Sequence, residues 1–318
     1  MSGGVFLSRY GTVLALLALI AFNLAVTPNF ATLQTLNVNL TQVCTIVIVG
    51  VGMTLVIATG GIDLSVGSLM AISGALAPMI FMGKLFELGS IYASVALAII
   101  VAITAATLLG AFNGWLIAKF RIQPIVATLV LFIAGRGIAQ VMTNGNLQVF
   151  KVPEFQVIGL GRVFGMPVQV IVMTLIVVVA AWVLRRTIFG RQVLAVGGNE
   201  RAARLSGIAT SRIKIAVYAI SGALAGVAGL IVIAINSASD ANLVGMGMEL
   251  DAIAAVAVGG TLLTGGRATI IGTLIGALTI QLVRYTLLAN GVPDAAALVV
   301  KAAIIIVAVW LQQRGQAI

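Results

Sequence analysis

The 318-residue chain has no histidine, one cysteine and only 8 acidic residues. Without histidine there is no imidazole metal site and no histidine proton relay. Cys44, alone in an apolar run, cannot close an internal disulfide. Charged residues make up 8% of the chain, against about 25% in soluble domains, which excludes an ordinary soluble fold. The short alternating strands of a membrane β-barrel are missing as well. So is a catalytic set. Gly83-Lys84 is followed by Leu85 and lacks the upstream glycine of a phosphate loop, and there is no H-E-x-x-H or G-x-S-x-G. If ATP is used, another chain binds it.

What is present is apolar: 61% of the residues are hydrophobic, and mean hydropathy is +1.20. Inside a bilayer every backbone N–H and C=O must find a partner within its own segment, so long apolar runs mean helices. The sequence predicts an all-α polytopic membrane protein, a single transmembrane domain over residues 1–318. Ten spans of about 20 residues are expected: 10–27, 40–58, 66–83, 90–118, 124–142, 167–185, 213–236, 249–265, 268–289 and 295–312. The run from Tyr10 to Val26 exceeds the about 7–15 residues of a signal-peptide core and no A-x-A site follows, so it reads as a retained span.

The net charge of +10 reads as topology, not nucleic-acid binding, because Lys and Arg gather in cytoplasmic loops. With the N-terminus inside, Arg9, Lys119, Arg121, Arg185, Arg186, Arg191, Arg201, Arg204, Arg212, Lys214, Arg267 and Arg314 fall in the cytoplasm. Only Lys84, Lys151 and Arg162 fall outside, while Arg136, Arg284 and Lys301 lie within spans. That bias predicts both termini in the cytoplasm. Gly60–Gly67 aligns with Gly259–Gly266, each interrupting an apolar run, as the trace of an internal repeat.

Several polar residues interrupt the spans. Asp63, the only acid before residue 87, sits in a glycine-rich break. It reads as a cap on the third helix, or, with Ser65, as lining of a path or gate. Gln123-Pro124 opens the fifth span, with proline where its missing N–H costs nothing. Arg136 and Gln140 share one face of that span, and Arg136 is expected to snorkel to the outer surface or to pair. Asn113 and Gln281 are intramembrane polar groups suited to interhelical hydrogen bonds. Gln123, Arg136, Gln140, Asn113 and Gln281 join Asp63 and Ser65 as candidate path or gate residues. Glu249 and Asp251 open the eighth span, where acids complement the helix dipole or meet a partner outside. Gly222-x3-Gly226 predicts close helix packing, within or between subunits.

The segment 186–214 stands apart. It holds Arg186, Arg191, Arg201, Arg204, Arg212 and Lys214, with Arg185 at its edge, against one acid, Glu200. It is too basic to face outward and too short to be a domain. It reads as a cytoplasmic docking element, or as a positive face touching anionic lipid.

Four stretches carry a resemblance: GMTLVIATGGIDLSVGSLMAISGA (52–75), IQPIVATLVLFIAGRGIAQ (122–140), GRQVLAVGGNERAARLSGI (190–208) and ELDAIAAVAVGGTLLTGGR (249–267). In this order and spacing, over roughly residues 40–312, the chain resembles the permease subunits of bacterial sugar ABC importers of the ribose/galactofuranose type. The 122–140 stretch is most similar to a galactofuranose permease. The resemblance implies an inner-membrane location and pairing with a second copy or a sister permease. It also implies an ATPase with two fused nucleotide-binding domains, which holds ATP and Mg, and a periplasmic sugar-binding protein. This chain itself is expected to bind no cofactor and no metal. By motif match, Gly190, Ala195, Gly197, Asn199, Ala202, Ala203, Ser206, Gly207 and Ile208 form the family's coupling segment, and a short helix from Glu200 capped by Asn199 would sit in a groove of the ATPase. The alternative reading is an ion-coupled transporter of a small polar solute, with Asp63 as its coupling acid.

Overall fold

The computed structural model describes residues 3–85, 88–293 and 295–300, with 302, 303 and 306, and side chains from residue 11 onward. The chain is helical almost throughout. α1 (Gly3–Val26), α2 (Leu33–Ala58), α3 (Val66–Phe81), α4 (Ile91–Phe120) and α5 (Pro124–Thr143) come first. β1 (Gln148–Val149), α6 (Pro153–Leu160), β2 (Arg162–Val163) and β3 (Met166–Pro167) follow, then α7 (Val168–Arg186), α8 (Ile188–Gly198) and α9 (Glu200–Leu205). α10 (Thr210–Asn236), β4 (Ala238–Ser239), α11 (Met248–Val258) and α12 (Ile270–Ala289) complete the fold. The all-α expectation is amended by two short antiparallel ladders, β1 with β4 and β2 with β3.

Among the described residues, 6 helices are long and apolar enough to cross a membrane: α2, α4, α5, α7, α10 and α12. Gly11–Val26 and α3 are shorter apolar helices. The predicted eighth span over 249–265 is instead α11, 11 residues long, followed by a return through Gly259-Gly260 and Gly265-Gly266. Glycines in the left-handed conformation end the helix there, where the run of hydropathy alone suggested continuity. Half of the predicted tenth span, 295–312, lies outside the described residues, as does Arg314, while 295–300 are helical.

α10 is the central post, packed on α2, α3 and α4. Its glycines explain how close it comes. A Cβ at Gly226 would lie 3.0 Å from the Ala106 Cβ, and one at Gly222 would collide with the Ala106 carbonyl of α4. The small-residue motif is therefore spent on α4 within the subunit, where it lets two backbones touch and gain dispersion contacts that lipid cannot replace. α2 is enclosed by protein, 83% of its most apolar stretch being buried, whereas α4, α5 and α7 are 28% buried and present their apolar faces outward.

The helix ends fall into two layers. α4, α7 and α11 finish at one end, where α5, α10 and α12 begin and where α8 and α9 lie. Lys119, Arg121, Arg185, Arg186, Arg201, Arg204 and Lys214 gather there, so this is the basic end. At the opposite end Phe81, Phe150 and Phe155 form an aromatic cluster that holds β1 and α6 against α3, with centroids 4.9–5.7 Å apart.

Candidate translocation and coupling site

The chain between α2 and α3 leaves helical geometry and brings four elements together. Asp63 is fully buried. Its Oδ1 accepts the Ser65 N–H at 3.0 Å and the Ser65 hydroxyl at 2.6 Å, and its Oδ2 accepts the Ser221 hydroxyl of α10 at 2.8 Å. Asn113 of α4 donates Nδ2 to Ser65 Oγ at 3.0 Å. Ser68 donates to the Leu131 carbonyl of α5 at 3.0 Å. The Asp63–Ser65 pair is an Asx turn that delivers negative charge to the first turn of α3, where the helix dipole favours it. In this conformation Asp63, Ser65 and Asn113 are closed off from solvent and brace the break.

Arg136 does not snorkel outward. Its guanidinium turns inward and donates to the carbonyls of Ala241 (2.9 Å), Val244 (2.5 Å) and Gly67 (3.3 Å). Gln140, one turn on, donates to Asn242 at 2.8 Å. Both residues thus hold the loop between α10 and α11 against α3 and α5. Three backbone carbonyls receive the guanidinium, which offsets the cost of burying it. Glu249, expected at an accessible helix end, is only 7% exposed. A Cβ on Gly67 would come within 2.6 Å of its carboxylate, so Glu249 faces the start of α3, not a surface. The loop before α11 dips inward and carries it there. Asp251 is half-buried.

Gln281 of α12 donates to Gln42 of α2 at 2.5 Å. This contact leads to a feature the sequence reading passed over. Gln34, Asn37, Thr41 and Gln42 lie on one face of α2, and with Arg162 and Ile235 they line an open cavity of about 620 Å³ at the end opposite the basic one. The expected second span began at residue 40, whereas α2 starts at Leu33. Gln34, Asn37 and Thr41 recur at intervals of three and four residues, the signal of one helix face.

At the basic end, α8 and α9 cover the segment expected to serve in coupling. Thr187 caps α8, accepting the Gly190 N–H at 3.2 Å, and Asn199 caps α9, accepting the Ala202 N–H at 3.0 Å, as its sequence position suggested. Gly207 (φ +84°) ends α9, with the paired bonds of a glycine cap, Gly207 N–H to Arg204 and Ile208 N–H to Ala203. Glu200 joins Lys214 of α10 at 2.7 Å and Arg204 at 3.3 Å. Burial works to raise the Glu200 carboxyl, but the Lys214 hydrogen bond and the charges of Lys214 and Arg204 hold it below its usual 4.5. Gly190 and Ala203 are buried anchors, Gly197 and Ile208 are half-buried, and Ala195, Asn199, Ala202, Ser206 and Gly207 are exposed. Leu205, absent from the motif-based set, is 90% exposed on the same helix. Gln123 lies at this end too, beside α9 and away from the Asp63 cluster.

Gly197 is the joint between this segment and the membrane helices. A side chain there would strike the Ala58 carbonyl at the end of α2 and come within 2.6 Å of the Gly266 N–H. The turns after α2 and α11 share two backbone bonds. Gly60 (φ +80°) and Gly260 (φ +82°) donate to Ile57 and Ala257, and Gly61 and Thr261 donate to Val56 and Val256 at 3.2 Å in both. The sequence alignment of the two segments is off by one residue: Gly60 corresponds to Gly260.

Residues 36–309 match the family described as branched-chain amino acid transport system permease components. The chain belongs to this permease family. It is 41% identical to the ribose import permease protein RbsC of Escherichia coli K12, over 98% of this chain and 95% of that protein. It is 40% identical to RbsC of Bacillus subtilis, covering 98% and 94%. It is 38% identical to the galactofuranose transporter permease protein YtfT of Escherichia coli K12, covering 86% and 78%. No solved structure matches. The permease is accordingly a multi-pass transport subunit and not an enzyme.

Proposed function

We propose that this permease carries a neutral monosaccharide, ribose- or galactofuranose-like, into the bacterial cytoplasm by alternating access, driven by ATP hydrolysis on a separate chain. The observation that carries the reading is the packing of Gly197 against Ala58 and Gly266. It gives a rigid path from a solvent-facing basic segment to the two breaks that set α3 and α12. On this reading α8 and α9 dock on an ATPase with two fused nucleotide-binding domains, which holds ATP and Mg. The exposed edge of α9, with Ala202 and Ser206, forms the contact. Closure of the ATPase around nucleotide pushes α8, and α2, α3 and the turn before α12 move with it. Ten spans with both termini in the cytoplasm of the inner membrane fit the gathering of Lys and Arg at one end. A second copy or a sister permease completes the path, and a periplasmic sugar-binding protein delivers the solute.

The chemistry of the outer cavity suits the cargo. Gln34, Asn37, Thr41 and Gln42 offer neutral donors and acceptors matched to sugar hydroxyls, beside the Arg162 guanidinium and the apolar Leu33, Val38 and Ile235. Asp63 is engaged by neutral donors at the start of α3, which supports a bracing role over ion coupling. The test is uptake of labelled ribose into proteoliposomes holding the permease with its co-purified partners. ATP-dependent uptake that persists in the presence of an uncoupler is expected. Uptake abolished by the uncoupler while ATP is held constant would reverse the reading.

A further inference from the structure

The end of α4, the start of α5 and the near side of α9 enclose an open groove of about 600 Å³ at the basic end. Arg121, Arg201, Arg204 and Lys214 line it, with Glu200 as the acid among them. Glu200 is already engaged by Lys214 and Arg204. Among the described residues the guanidinium groups of Arg121 and Arg201 have no hydrogen-bond or ion-pair partner. The remaining lining is Gln123 and the apolar Ile117, Ala118, Ile122, Pro124 and Leu205. A ligand matched to these walls has a compact anionic head and a greasy stem.

A second observation fixes the depth of the groove. α4 carries an exposed aromatic cluster in the same turns: Trp115 stacks on Phe112 at 5.9 Å and meets Phe120 edge-on at 5.0 Å, with the Lys119 ammonium 6.0 Å above its ring. Aromatic and basic side chains at a span's end mark the layer of lipid headgroups. From the groove, the apolar outward face of α5 begins at once with Ile125 (41% exposed) and Val126 (50% exposed).

We propose that this groove binds the phosphate of an anionic phospholipid of the cytoplasmic leaflet. Arg121 and Arg201 hold the headgroup, and the acyl chains lie along α5. Basic pockets between helix ends on the cytoplasmic side suit such headgroups because the field is strong there and water is partly excluded. A lipid seated here touches α9, so the composition of the membrane bears directly on the coupling segment.

The test is native mass spectrometry of the whole purified permease after exchange into detergent with equal phosphatidylglycerol and phosphatidylcholine. The wild-type chain is expected to retain phosphatidylglycerol selectively. R121Q/R201Q is expected to retain it about 30-fold less well, and R121K/R201K to keep most of the preference. Equal retention of both lipids by the wild-type chain would overturn the proposal, and that measurement stands even if the variants fail to fold. Unchanged retention in R121Q/R201Q would overturn it too. Displacement of the lipid by millimolar inorganic phosphate would reassign the groove to a free anion. Loss of a co-purifying ATPase with lipid retention intact would reassign it to an acidic segment of that partner.

Discussion

Gly266 donates its backbone N–H to the Ala58 carbonyl at 3.0 Å, tying the return after α11 to the last residue of α2. Gly197 of α8 lies against this bond, and its lack of a side chain is what allows the approach.

Gly197→Val is therefore expected to overpack the joint. Inserted volume of this kind costs about 1–3 kcal/mol where neighbours can shift, and here the neighbours are backbone. Thermal unfolding of the purified permease should show a clear drop in midpoint, with uptake lost. Gly198→Ala is the control. Nothing lies within 4 Å of the Cβ it adds, and a change within about 0.5 kcal/mol is expected.

Asp63→Ala removes one acceptor shared by Ser65 and Ser221. Leaving those buried donors unsatisfied should cost about 1–3 kcal/mol. Asp63→Asn keeps an oxygen for the Ser65 N–H and should cost less. Equal loss from both variants, read by thermal midpoint, would show that the charge matters more than the hydrogen bonds.

Arg136→Met leaves the carbonyls of Ala241, Val244 and Gly67 without the guanidinium. The loop before α11 is expected to loosen, and limited proteolysis within 240–247 should accelerate at least several-fold. A cleavage pattern identical to wild type would show that Gln140–Asn242 and the β1–β4 ladder suffice to hold it.

The Glu200 contacts give a pH dependence whose sign is fixed. The folded carboxyl titrates below its unfolded value of 4.5, so the contribution is fully present above that value and disappears as pH falls through the folded one. Glu200 is partly exposed, so the effect is at most about 1 kcal/mol and shrinks in salt. Thermal midpoints of wild type and Glu200→Gln should converge on acidification below pH 4.5. A constant gap across that range would show that Lys214 holds α9 without help from the charge.

The long hydrophobic runs made most helices legible in the sequence, and polar punctuation set the segment 186–214 apart and marked its Asn199 cap. Depth was harder to read. Glu249 and Asp251 resembled an exposed helix start, yet the loop before them folds inward and buries Glu249 against Gly67. Arg136 resembled a snorkelling residue because its backbone acceptors, Ala241 and Val244, are more than a hundred positions away. The first turns of α2 fell outside the expected span, since a helix lining a polar cavity breaks the rule that spans are uniformly apolar. Leu205 has an ordinary residue type, and only its protrusion marks it.

The matched turns at Gly60 and Gly260 have a mechanical consequence. Both are rigid corners, each closed by two backbone hydrogen bonds, and the bond between Gly266 and Ala58 links the segments that carry them. On the coupling reading, a displacement at Gly197 would reach both corners through backbone atoms, not through side chains that could yield. The stroke would then be split between two levers of one shape.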